Sequence, residues 1–242
     1  MKIAFVFLLC LLSLNCYATC IIIAITKDGI YVAADGRRNL HQYNSQGILT
    51  TLPQTVCKIH NVGKDYFVVA GVDDSQLARE ITHELDTKRS WDDITNSFQL
   101  QMKLHYNKLF IDDRKDFKKI LLESKGKLAE VAFFCYFGNQ PSVRKITISG
   151  KLNSIGQLII SSKLVEPKGQ IILIGIYGNL LFKTPPSYFA HVNQNDIPAL
   201  IEAMVNYEAK FHPNDIAGPV DVLLLTQNGS HWIKKNNNIV SY

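Results

Sequence analysis

The chain carries no Cys-x-x-Cys pair and no His-x-x-x-His pair, so it offers no zinc motif. No metal site is expected, and the seven dispersed histidines read as structural or exposed. A Gly-rich phosphate loop is missing, and so is any βαβ alternation, which excludes Rossmann and P-loop readings. No cofactor is expected. A basic stripe is also absent. The net charge is +5, but Lys and Arg are scattered apart from short pairs such as Lys118-Lys119 and Lys234-Lys235. A nucleic-acid partner is therefore not expected. There is no internal repeat, and the only biased stretch is Asn236-Asn237-Asn238, read as a turn. Beyond the first residues no apolar run is long enough to span a bilayer, so a stable membrane anchor is not expected.

What is present begins at the N-terminus. Met1-Lys2 supplies a positive charge, Ile3 to Leu14 is almost wholly apolar, and Cys16-Tyr17-Ala18 is small–large–small. A spanning helix needs roughly 20 apolar residues, and this run is far shorter, so it reads as a secretory signal peptide. Residues 1–18 are expected to be removed, leaving a single domain over residues 19–242 that is exported to the periplasm or the medium. Cys20, Cys57 and Cys135 then remain. One disulfide plus one thiol, or three buried thiols, both fit.

Cys20 to Thr26 and Ile30 to Ala34 are β-branched, apolar runs flanking Lys27-Asp28-Gly29, which predicts a hairpin directly after the cleavage point. Gly36 to Pro53 reads as a polar loop. Val56 to Val62 and Tyr66 to Ala70 read as strands. Asp73 or Asp74 can cap a helix carrying Leu77, Ala78, Ile81 and Leu85. Ser90 and Asp93 resemble a capping box opening a longer helix, whose apolar face would hold Ile94, Phe98, Met102, His105 and Leu109. Strands return at Val131 to Phe137, Val143 to Ser149, Leu158 to Ser162 and Ile171 to Ile174. A helix follows from about Asp196, then a closing hairpin around Asn228-Gly229. Blocks of strands separated by blocks of helices indicate an α+β fold of antiparallel sheets with helices outside.

Cleavage after Ala18 would place a hydroxyl and a free α-amine on one residue, Thr19. An α-amine titrates at roughly 7.7–8.0, so near neutral pH part of it can accept the hydroxyl's proton and free Oγ to attack a carbonyl. Moving the cleavage by one residue would give Cys20 this position instead, with a thiolate as nucleophile.

From Thr19 through Lys27-Asp28-Gly29 to Ala34-Asp35-Gly36-Arg37, the chain resembles the start of proteasome β subunits and their bacterial relatives. Phe67-Val-Val-Ala-Gly71 resembles the same family's Ala-Gly before its first helix, and Gly218-Pro-Val-Asp221-Val its closing strand. The resemblance implies the N-terminal-nucleophile hydrolase fold, a four-layer αββα sandwich of two antiparallel sheets flanked by helices. It implies a threonine peptidase or amidohydrolase acting on a peptide or other small amide. Thr19 would be the nucleophile, Asp35 would set its electrostatic surroundings, and the Gly71 N–H would donate to the oxyanion. Because the relatives form rings, a homo-oligomer is one expectation; a partner unfoldase is not expected outside the cytoplasm.

Two positions depart from that pattern. The family's third-strand lysine falls on Thr55, and Lys58 lies three residues along, which a regular strand would turn to the other face. A bulge would bring Lys58 back, and it stands as the fourth candidate beside Thr19, Asp35 and Gly71. The family's Gly-Ser-Gly reads Gly175-Ile176-Tyr177-Gly178 here, with Ile176 where the serine would be. These departures support an alternative: the same fold without chemistry, serving as a binding or structural protein.

Overall fold

The computed structural model describes residues 19–43, 49–62, 65–71, 90–137, 139–183, 189, 192–193 and 195–236. The expected signal peptide (1–18) and the helix expected after Asp73 lie outside them.

The isoleucine-rich Cys20–Ile25 (β1) and Ile30–Asp35 (β2) pair antiparallel, from Ile21 opposite Ala34 to Ile25 opposite Ile30. Thr26 closes the turn: its Oγ1 accepts from the Asp28 and Gly29 N–H groups at 3.1 and 3.2 Å. Gly29 is required there, because a Cβ would sit 2.6 Å from the Leu225 carbonyl oxygen, at a φ of +155°.

The Gly36–Pro53 stretch, expected as a loop, holds two strands. Arg37–Tyr43 (β3) and Leu49–Thr55 (β4) form a separate two-stranded sheet, from Arg37 opposite Thr55 to Tyr43 opposite Leu49. Both strands are edges, which is why Pro53 is tolerated within one of them and why the alternation of a buried strand is missing.

Five strands make the second large sheet in sequential order. They are Ile59–Val62 (β5), Asp65–Gly71 (β6), Lys127–Phe137 (β7), Gln140–Leu152 (β8) and Leu158–Val165 (β9), paired antiparallel throughout. The first sheet is completed by Ile171–Gly175 (β10), Val220–Thr226 (β11) and Gly229–Lys234 (β12), in the order β10-β1-β2-β11-β12. The strand expected over Val56 to Val62 starts at Ile59 instead.

The helices are Trp91–Asp112 (α1), Arg114–Glu123 (α2), Gly178–Phe182 (α3) and Ile197–Phe211 (α4). Ser90 caps α1 as its sequence suggests, accepting from the Asp93 N–H at 3.1 Å. The buried stripe of α1 is Ile94, Phe98, Met102, Tyr106 and Phe110. Leu109, expected on that face, packs half-buried against the same core, and His105 is half-buried beside Tyr106 rather than in the fully buried stripe. Constant steps of four drift around a helix of 3.6 residues per turn, and the drift brings Tyr106 and Phe110 onto Phe117 of α2. Neither α2 nor α3 stands out in the sequence: α2 buries only Phe117 and Leu121, and α3 has five residues.

Period-two alternation sorts these elements into layers. Ile21, Ile23, Val32 and Ala34 of the first sheet meet Ala132, Phe134 and Val143 of the second. Ile22, Ala33 and Val222, on the opposite face of the first sheet, pack under Ile201 and Val205 of α4. Val131, Phe133, Ile146 and Ile148 pack under α1 and α2. The result is α+β, with two antiparallel sheets face to face and helices on both outer surfaces. That is the αββα layering the resemblance implies. Cys20, Cys57 and Cys135 are all free thiols, and among the described residues no helix is long and apolar enough to cross a membrane.

Candidate functional site

Thr19 lies immediately before β1, at one end of the first sheet, and only 6% of its surface is exposed. Its backbone carbonyl accepts from the Ile176 N–H at 2.8 Å, which extends the β1–β10 pairing by one residue and fixes the direction in which Thr19 leaves the strand.

Asp35 ends β2 and is 1% exposed. Its carboxylate is used on both oxygens. Oδ1 accepts from the Cys20 N–H at 2.7 Å; Oδ2 accepts from the Arg37 N–H at 3.2 Å. The first contact joins the start of β1 to the end of β2 around Thr19. Gly36 follows because a Cβ would lie 2.8 Å from the Pro219 carbonyl oxygen.

Lys58 is where the structure resolves a difficulty in the sequence. Face parity would turn it away from Thr19 if 55–59 were one strand. The chain instead leaves the strand after Thr55. The Val56 N–H donates to the Gly36 carbonyl at 2.8 Å, residues 56–58 are irregular, and β5 starts only at Ile59. This crossing carries Lys58 over the end of β2. Its Nζ donates to Thr19 Oγ1 at 2.9 Å and to Asp35 Oδ2 at 2.9 Å, with 4% of the residue exposed. Thr55, the position matched to the family's lysine, is half-buried on β4 opposite Arg37.

Three of the four candidates, Thr19, Asp35 and Lys58, thus form one buried, hydrogen-bonded cluster. Gly71, the fourth, ends β6 opposite Ala129, in a strand that packs across β1.

Burial dominates the electrostatics of the cluster. It pulls Lys58 below the ordinary lysine value, against the opposing pull of the Asp35 carboxylate. It pushes Asp35 up, against Lys58 and the two backbone donors. Burial thus works against the charge on each group, and the hydrogen bond and attraction between the two work for it. Cys20 differs. Its side chain joins the core beneath α4, fully buried, and burial together with Asp35 and Glu208 raises its thiol well above the usual range. A thiolate there is disfavoured, which weighs against Cys20 as the nucleophile.

Residues outside the four candidates hold the frame. Glu130 of β7 reaches between the sheets and accepts from the Gly175 N–H at 3.0 Å, while Lys127 and Lys145 pair with it at 2.7 and 3.0 Å. Gly175 has a φ of +84°, a left-handed conformation that suits glycine, and it delivers Ile176 to the Thr19 carbonyl. Behind this turn, Glu208 of α4 is fully buried and accepts from the Leu180 N–H at 2.7 Å and from Asn179 Nδ2 at 2.9 Å, anchoring α3. Arg37 Nη1 donates to the Pro213 carbonyl at 3.2 Å, which ties β3 to the segment before β11. Asp221 is buried on β11 and accepts from the Asn236 N–H at 2.8 Å. Among the described residues no cluster of His, Cys, Asp and Glu could hold a metal ion.

No protein-family model matches the chain, and no curated protein matches it in sequence. Among solved structures it is similar to a mutant of Anbu from Hyphomicrobium sp. strain MC1, with 11% identity and a TM-score of 0.46 over 91% of this chain and 89% of that one. A likeness that slight carries no chemistry from one chain to the other, and the site stands on its own geometry.

Proposed function

We propose that the chain is an exported amide-bond hydrolase whose nucleophile is Thr19, exposed as the N-terminal residue when residues 1–18 are removed. One observation carries this reading. The buried Lys58 ammonium is within 2.9 Å of both Thr19 Oγ1 and Asp35 Oδ2, so a hydroxyl at the proposed mature terminus already has a cationic partner.

The chemistry follows from the groups present. The freed α-amine of Thr19 takes the proton from Oγ1 as Oγ1 bonds to the substrate carbonyl carbon. The carbonyl electron pair moves onto oxygen, to which the Gly71 N–H would donate. The amine's proton passes to the leaving nitrogen, and the C–N bond breaks to give an ester on Thr19. Water, deprotonated by the amine, attacks that ester, releases the acid and restores the hydroxyl. Lys58 donates to Oγ1 as negative charge develops there and lowers the pKa of the neighbouring amine; Asp35 holds Lys58 in place.

The alternative, a fold without chemistry, has one observation in its favour: an apolar Ile176 packed into the helix-side core where the family's serine would stand. Thr19→Ala distinguishes the two. The processed wild type is expected to hydrolyse members of a panel of peptide amides, with activity lost in Thr19→Ala and secondary structure unchanged by circular dichroism. Equal hydrolysis by both proteins would exclude Thr19 as nucleophile, and no hydrolysis by either would favour the binding protein.

A further inference from the structure

The two large sheets both end at the same side of the sandwich, β9 being an edge of one and β10 an edge of the other. Between them lies an open groove of about 460 Å³, lined among others by Lys145, Thr147, Lys163, Ile171, Leu173 and Tyr177. Among the described residues no carboxylate lines it.

The backbone of β10 faces this groove in a defined way. Gln170 and Ile176 bond inward, to Ile25 and Thr19. The odd-numbered residues turn outward: Leu173 C=O accepts from Lys145 Nζ at 3.1 Å, and Gly175 N–H donates to Glu130. By the same alternation the N–H and C=O of Ile171 and the N–H of Leu173 point into the groove, and no described strand pairs with them. Lys145 is already neutralised by Glu130. Lys163 is exposed on β9, and neither its ammonium nor the hydroxyls of Thr147 and Tyr177 have a hydrogen-bond partner among the described residues. A partly unpaired strand edge thus runs beside a cation and two hydroxyls that lack partners among the described residues.

We infer that this groove binds an extended acidic peptide segment, added as a strand along the outer edge of β10 with a carboxylate held by Lys163 and Tyr177. Main-chain bonds to Ile171 and Leu173 supply affinity, and the lysine selects for acid. An apolar side chain between successive acids would lie against Ile171, which is 47% exposed. The site is separate from the chemistry proposed for Thr19, whichever way that is decided.

The test uses the exported Thr19→Ala chain, so turnover plays no part. Binding of a labelled peptide of alternating Glu and Val is followed by fluorescence anisotropy, beside a Gln-Val counterpart and a Glu-Val peptide N-methylated at every second residue. The acidic peptide is expected to bind at least about tenfold more tightly than the Gln-Val peptide, with Lys163→Glu removing that preference. N-methylation should abolish binding, because the strand edge would lose its partners. Equal binding of acidic and neutral peptides, indifference to Lys163→Glu, indifference to N-methylation, or no binding at all would each overturn the inference. Lys163 is exposed on an edge strand, so its replacement leaves folding intact, and an unchanged thermal transition checks this.

Discussion

The contact between Lys58 and Asp35 decides most at the scale of single residues. Each is charged and almost fully enclosed, so each is tolerable only because of the other. Lys58→Met leaves Asp35 buried without its cation and is expected to cost about 3–5 kcal/mol. The double variant Asp35→Asn with Lys58→Met should be more stable than Lys58→Met alone. Denaturant unfolding of wild type, both singles and the double gives the coupling directly. A double variant no more stable than Lys58→Met would mean that the two groups do not depend on each other.

The same pair sets the pH dependence of the proposed reaction. Activity should rise as the Thr19 amine loses its proton and fall as Lys58 loses its own. Burial lowers Lys58, so the alkaline limb should lie below the ordinary lysine value of 10.5. In Lys58→Met that limb should vanish, and the acid limb should move up by about one unit once the neighbouring positive charge is gone. A pH–rate profile unchanged by the substitution would remove Lys58 from the mechanism. Thr19 was legible from the expected cleavage point and Asp35 from the resemblance. Lys58 could be named only on the supposition of a bulge, because face parity holds only within a regular strand, and nothing in Thr55-Val56-Cys57-Lys58 announces that the strand ends at Thr55.

At the scale of elements, the joint between β7 and β10 matters most. Glu130 spans it, receiving Lys127, Lys145 and the Gly175 N–H. Those donors hold its carboxyl below the ordinary glutamate value of 4.5, despite the opposing effect of burial. A carboxylate whose folded pKa is depressed contributes stability above its unfolded pKa and loses it as pH falls through the folded value. Glu130→Gln should therefore lower stability at neutral pH and leave less to lose on acidification. Urea unfolding at neutral pH and below pH ~4, for wild type and variant, reads this out. A constant difference between the two proteins at both pH values would contradict it. At the start of α1, Ser90→Ala should cost about 1 kcal/mol through loss of the cap on the Asp93 N–H. An unaltered unfolding midpoint would show that the cap is idle. The long, strongly patterned elements β1, β2, β7, β8 and α4 could be read from apolar periodicity. The pair β3–β4 could not, because its strands lack the alternation of a sheet with a buried face. Glu130's role was hidden for a different reason: beyond Lys127 on its own strand, its partners Lys145 and Gly175 come from two other places in the sequence.

For the whole molecule, the layer order follows from where each face of each strand goes. One face of the first sheet is closed by α4 and the other by the second sheet, and α1 and α2 cover the far side. The succession of strand and helix blocks was enough to anticipate this arrangement. How the layers join was not, since the Lys58 crossing and the Glu130 joint connect distant segments. Thr19 stands just before β1 with its carbonyl held by Ile176 and its hydroxyl by Lys58, so one bond, Ala18–Thr19, separates the folded site from the chemistry proposed for it. The most direct test is the intact mass and N-terminal sequence of the protein recovered from its expressing cells and their medium. The account predicts a single chain beginning at Thr19, with its amine free to label. A chain that retains residues before Thr19, or begins at Cys20, would contradict it.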